Sequence, residues 1–260
     1  MSTASLITHQ AKYDLLVYSR DPRARGFTLA LPVLLLLLFG YIFKHDSFSY
    51  GNGVKIAGDA YYMPRMIALG VVGTTLSNLA IVLVSKRETG ALKRRRATPI
   101  RALVLIAGDI ITSEVSAIVI TAVLVAIGWL AYGVHMSGAG IGALAAIVVV
   151  STAAFCGLAY GLSTLINSVD SAGPLVMLLM FGLNAISGIY VPESLFPAWL
   201  RDTAQVLPVR PLASAMQAAV SPATNSGRAF EWTDLLIILA WGAAGTLFAL
   251  RRFSWSPTRN

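Results

Sequence analysis

Three residue arrangements could give this chain chemistry of its own: lysines preceded by glycine, histidines one helical turn apart, and carboxylates set inside apolar runs. A phosphate-binding loop needs Gly-Lys, because the glycine turn brings backbone N–H groups to the phosphates and the lysine reaches beyond them. The five lysines, Lys12, Lys44, Lys55, Lys86 and Lys93, follow Ala11, Phe43, Val54, Ser85 and Leu92. The chain therefore has no such loop and is not expected to hydrolyse ATP itself. His9, His45 and His135 lie in different segments, so no pair has the i, i+4 spacing that places two imidazoles on one metal. His135 sits in a polar turn, where it cannot serve a serine inside a bilayer, and no clear pair of intramembrane aspartates suggests an aspartyl protease. Asp109 and Glu114 stand between Ile100 and an apolar stretch. They read either as a proton or cation site or as interfacial charges paired with a nearby basic loop. Asp170 reads as a solvated turn charge. No catalytic residue, cofactor or metal is expected on this chain.

The elements that must position these groups follow from composition. Of 260 residues, 56% are hydrophobic and 12% charged, with mean hydropathy +0.71. A soluble domain carries about 25% charged residues, so this is a bilayer composition, not that of a disordered chain, a disulfide scaffold or a soluble enzyme. Cys156 is the single cysteine, so no intrachain disulfide can form. A net charge of +8 and a pI near 9.9 would suggest nucleic acid in a soluble protein. In a membrane protein the position of the charges matters more, and no nucleic-acid partner is expected.

A bilayer core needs about 20 apolar residues of helix. Stretches free of acidic and basic residues, extended to flanking helix signals, give spans near 26–43, 66–85, 102–134, 141–166, 171–191 and 233–250, with the polar turn at His135 to Gly140 separating the third from the fourth. The expected fold is all-α integral membrane: six transmembrane helices, an N-terminal interfacial helix and short outer-leaflet helices between spans five and six, forming a single domain over 1–260. Residues 1–25 are polar and basic, unlike a secretory signal, so the first span is expected to be retained. Residues 1–25, 86–101 and 251–260 hold fourteen of the twenty Lys and Arg. Basic residues favour the cytoplasmic side, which puts both termini there.

Residues 5–18 place Leu6, Ile7, Ala11, Leu15 and Tyr18 on one helical side, as an interfacial amphipathic helix does, and Asp21-Pro22 ends it. Leu195, Phe196, Trp199, Leu200, Ala204 and Leu207 recur at helical spacing within the loop 192–232, with Pro197, Pro208 and Pro211 limiting helix length. Short helices lying in or partly entering the outer leaflet fit this pattern. Residues 86–98 form the most charged stretch, and Thr98-Pro99 signals a new helix start. A polybasic run of this kind also suits anionic lipid. Thr74, Thr75 and Asn78 share one side of the second span, and Asn184 and Ser187 lie in the fifth beside Met177, Met180 and Phe181. Such polar groups must face protein or water. Gly157 and Gly161 make a GxxxG pair suited to close helix packing.

Three stretches together resemble the membrane subunit of type-2 ABC exporters, the ABC-2 family, and within it the daunorubicin-resistance-type drug permeases. They are Arg20-Asp-Pro-Arg with Leu31-Pro-Val and Leu38-Phe-Gly-Tyr-Ile-Phe43; Arg87-Glu-Thr-Gly-Ala-Leu92 with Thr98-Pro99; and Ser187-Gly-Ile-Tyr-Val-Pro192 with Phe196-Pro-Ala-Trp199 and Leu207-Pro208. The resemblance implies a multi-pass plasma-membrane permease that pairs with a second permease copy or a paralogue and with separate ATP-hydrolysing subunits, ATP and Mg being bound there. It implies that the segment after the second span docks on the ATPase, which falls on Arg87, Glu88, Gly90, Leu92 and Lys93. It also implies a transport path lined by spans two and five, where Asn78, Phe181 and Asn184 are the candidates by position. The Lys93-Arg-Arg-Arg96 run is more basic than the family's usual loop. The competing expectation is an ion-coupled carrier using Asp109 and Glu114, although no internal repeat of the kind such carriers show is visible.

Overall fold

In the computed structural model, residues 3–20, 22–49, 54–90, 102–225 and 227–252 are described. Helix α1 (Thr3–Arg20) is followed by α2 (Pro22–Ile42), whose first residue is proline, the residue best suited to a position where the N–H has no helical partner. A small antiparallel hairpin, β1 (Ser47–Ser49) and β2 (Lys55–Ala57), pairs Phe48 with Ile56. Helix α3 (Gly58–Val72) passes through a five-residue π turn, Gly73–Ser77, into α4 (Asn78–Glu88). Then come α5 (Ala102–Tyr132), α6 (Gly138–Ser163), α7 (Val169–Ile186), two short helices α8 (Ala198–Val206) and α9 (Val209–Val220), and α10 (Trp232–Arg252).

Five of the described helical runs are long and apolar enough to cross a membrane: Gly58–Glu88, Val104–Tyr132, Gly138–Ser163, Val169–Ile186 and Trp232–Arg252. The apolar part of α2, Thr28–Ile42, is shorter. The bundle is built around Gly58–Glu88, which packs against α2, α5, α6 and α9 and buries Tyr62, Met63, Met66, Ile67 and Leu83 completely or nearly so. Its Thr74 and Thr75 hydroxyls donate to the carbonyls of Gly70 and Val71. Those bonds compete for the acceptors of the helix ladder and coincide with its widening into the π turn.

Helices α6 and α10 meet through glycine on both sides. A Cβ on Gly161 would lie 2.8 Å from the Gly245 carbonyl oxygen, and one on Gly245 would lie 2.7 Å from the Leu158 Cα. Backbone therefore lies on backbone, which only small residues permit. At one end of the bundle Phe39, Phe43, Phe48, Tyr61 and Tyr62 form a chain of ring contacts that fastens the hairpin to α2 and α3. Helix α1 packs along the first half of α5, with Ala11 buried.

The described helices depart furthest from the expected spans in two places. Arg65 and Lys86, taken as the limits of the second span, lie inside the helix, which runs on to Glu88. Helix α7, read as the fifth span, stops at Ile186, short of Val191, because Gly188 turns the chain with φ +75° and the Ser187 hydroxyl donates back to Leu183 O. Ser187 is thus a helix end. The chain turns between α5 and α6 at residues 133–137, so the last three residues of the polar turn expected at His135 to Gly140 already belong to α6: Gly133 has φ +67°, and the Ser137 hydroxyl accepts the Gly140 N–H at 3.0 Å to start α6. Helix α9 is buried over nearly its whole length. The Trp241 indole donates to Val206 O at 2.7 Å, so the α8–α9 junction lies about 14 Å along α10 from its start.

Candidate functional site

The end of α4 is where the charged segment after the second span begins, and each of the last three residues of the helix binds a different element. Lys86 Nζ lies 2.7 Å from Asp109 Oδ1 on α5, and the other Asp109 oxygen accepts the Tyr160 hydroxyl of α6 at 2.7 Å. Arg87 is 4% exposed. It donates to Ser163 O at 3.1 Å and to Ile166 O, placing a cation on the carbonyls at the negative end of α6. Glu88 Oε2 accepts the Val169 N–H at 2.6 Å, placing an anion at the positive end of α7. The segment is thus joined to the α6–α7 junction by two residues of opposite charge, each matched to the helix end it meets. Gly90 closes α4 with φ +67°, and its N–H donates to Arg87 O at 3.1 Å. A side chain there would strain the left-handed backbone.

Among the residues expected to dock on a partner, Arg87 has its side chain turned into the protein, and Glu88 is exposed but engaged. Gly90 lies at the surface end of the helix, while Leu92 and Lys93 lie outside the described residues, as do Thr98 and Pro99.

The residues placed by position on a transport path fall on neighbouring helices. Asn78 is half-buried at the junction of the π turn and α4. Phe181 is 66% exposed on α7 and stacks on Tyr190, with ring centroids 5.8 Å apart. Asn184 is buried, interacts with the Tyr190 hydroxyl and leaves its Oδ1 without a hydrogen bond. Tyr190, not singled out from the sequence, therefore links Phe181 and Asn184. Its signal was present in Gly188-Ile-Tyr190, where a glycine turn lets an aromatic fold back on the helix it follows.

Sequence reasoning also missed Arg65. It is 1% exposed, and its guanidinium lies 3.4 Å over the Tyr61 ring. It donates to Gly188 O and Tyr61 O at 3.0 Å and to Gln217 Oε1 at 2.7 Å. Gln217 in turn donates to Ala60 O at 3.2 Å. This arginine joins α3, the turn after α7 and α9 through neutral oxygens and one aromatic face.

A family model described as ABC-2 type transporter matches residues 6–220, most of the chain and all of the elements from α2 to α9. The chain belongs to the ABC-2 type transporter family. It is therefore the membrane-spanning component of an ABC transporter, a multi-pass membrane protein and not itself the catalytic ATPase. A search of curated proteins finds no significant match. For an ABC-2 chain, the described geometry gives the segment after the second span a mechanical attachment, and it gives Asp109 structural partners for both carboxylate oxygens.

Proposed function

We propose that this ABC-2 chain is the permease subunit of an exporter that moves a hydrophobic or amphipathic substrate, drug-, lipid- or polyketide-like, out of the cytoplasm. ATP hydrolysis on a separate nucleotide-binding subunit drives it. In this reading two permease copies, or one copy and a paralogue, pair in the plasma membrane. Each crosses it six times, α2 included, with both termini cytoplasmic and α8–α9 entering the outer leaflet as a hairpin. The observation that supports it most is the attachment at α4: Arg87 and Glu88, at one end of this helix, are bonded to the ends of two other helices. Force applied there by a closing ATPase passes to α6 and α7 without first bending a loop. Work requires the substrate to bind the two resulting conformations with different affinity.

Asn78, Phe181 and Asn184 line the path in this proposal, with the exposed apolar face of α7 beside them. Gly90, Leu92 and Lys93 carry the docking surface, and Arg87 and Glu88 carry the load inward. The test is co-expression with the candidate ATPase and measurement of its turnover in vesicles. Gly90→Pro is expected to leave membrane insertion intact and abolish substrate-stimulated hydrolysis. Full stimulation in that variant, or failure of any ATPase to co-purify with the wild type, would remove this reading.

A further inference from the structure

The run Gly58–Glu88 and α7 lie antiparallel and are pinned to one another at both ends. At one end Glu88 accepts the N–H of Val169, the first residue of α7. At the other, Arg65 donates to the carbonyl of Gly188, two residues beyond its last. Twenty-three residue steps separate the pins on the first rod, about 35 Å of helix, and nineteen steps separate them on the second, about 29 Å. The pins are therefore roughly a hydrocarbon core apart. Helix α7 packs chiefly on α4, the π turn and the short helices α8 and α9, while its far face is bare, with Leu178 71% and Phe181 66% exposed.

Both pins end on backbone atoms of the α7 segment, so no side-chain rotation on that side can release them. The Arg65 pin is buried, and opening it would leave a buried cation short of one of its three acceptors. The Glu88 pin is exposed, and so it is the one that a substitution can cut without disturbing the core.

We propose that Arg65 and Glu88 are positioning residues that make the second and fifth spans one rigid body, so that the passage opens between this pair and the rest of the assembly and never between the two spans. Asn78 on one rod and Phe181 and Asn184 on the other then keep a fixed relation throughout the cycle and act as a single wall. This deepens the permease reading and rests on it for the word passage.

The test places spin labels at Thr89→Cys, beside the Glu88 pin, and at Val191→Cys, beyond the Arg65 pin. Sliding or splaying of the rods changes this diagonal. Cys156 is buried and is not expected to take up label. In nanodiscs, the otherwise wild-type chain is expected to give one narrow distance distribution that nucleotide leaves unchanged when the ATPase is bound. Glu88→Ala, which removes the acceptor, broadens it and abolishes substrate stimulation of the ATPase, and Glu88→Gln, whose amide oxygen can still accept the Val169 N–H, restores both. A nucleotide-driven shift larger than the distribution's width would overturn the proposal. So would a Glu88→Ala distribution as narrow as the wild type's in the chain alone. If no ATPase co-purifies, the permease reading fails, while the comparison of wild type with Glu88→Ala still decides the pin.

Discussion

Among the described residues two arginines, Arg65 and Arg87, sit where a charge is costly, and both are satisfied by main-chain or amide oxygens instead of carboxylates. A buried ion pair often does no more than break even against its desolvation, whereas removing one partner of a buried charge is expensive. The Arg65 site turns this asymmetry into a measurement. Gln217→Leu takes an acceptor from a cation that cannot move to water and is expected to cost about 2–3 kcal/mol. Arg65→Met removes the charge, leaves only neutral groups unpaired and is expected to cost about 1–2 kcal/mol. The double variant is expected to be more stable than the sum of the two predicts, since each change removes the need for the other. Thermal melting of the purified chain checks all three, and simple additivity would show that the two residues do not act together. Asp109 makes the opposite case. Both of its oxygens are held, by Lys86 and Tyr160, so Asp109→Asn is expected to lower stability by about 1–2 kcal/mol and leave transport in vesicles near the wild-type rate. Loss of transport with assembly intact would favour the ion-coupled carrier.

At the scale of elements, the contact between α6 and α10 is the one where sequence and structure agree most directly. Gly157 and Gly161 are one helical turn apart, and the spacing alone indicates a face that admits another backbone. What it could not give was the partner, because Gly242 and Gly245 are three apart and do not repeat the motif. Gly161→Leu drives a side chain into the Gly245 backbone, where nothing flexible can yield. It is expected to destabilise by at least the about 1–3 kcal/mol of ordinary overpacking, whereas Gly142→Leu, with open space around it, is expected to be silent. Equal melting temperatures for the two variants would contradict the packing. Helix existence was legible throughout, because long apolar runs have few alternatives in lipid. Helix ends were less so. Charges did not mark where the helix of the second span ends: it runs past Arg65 and Lys86, whose charges are met inside the protein by carbonyls, an amide oxygen and a carboxylate. The residues expected to dock on a partner were named from a motif, but the bonds of Arg87 and Glu88 depend on α6 ending and α7 starting beside α4, which no local pattern states.

At the scale of the whole molecule, the distribution of Lys and Arg and the placement of α8–α9 make one joint claim about sidedness. Fourteen basic residues lie on the segments assigned to the cytoplasm and six on the others, and of those six Arg65 is buried and Arg210 is paired with Glu193 at 3.2 Å. On the assigned inner side Arg87 is likewise buried and Lys86 is paired with Asp109, so the excess stands as counted, and the positive-inside bias acts through such flanking charges. Helix α8 has its indole side chain exposed at Trp199, as a residue at the headgroup level should be. Single cysteines read this out directly, because Cys156 is buried and gives a low background. Thr203→Cys, exposed on α8, is expected to react with a membrane-impermeant maleimide in intact cells. Thr89→Cys, exposed at the end of α4, is expected to react only after the membrane is opened. The reverse pattern would turn the coupling segment away from any cytoplasmic ATPase, and labelling of both in intact cells would mean that α4 and α8 open to the same side. Either result would break the chain of argument at its first link, since the bonds from Arg87 and Glu88 carry force only if a nucleotide-driven partner can reach Gly90.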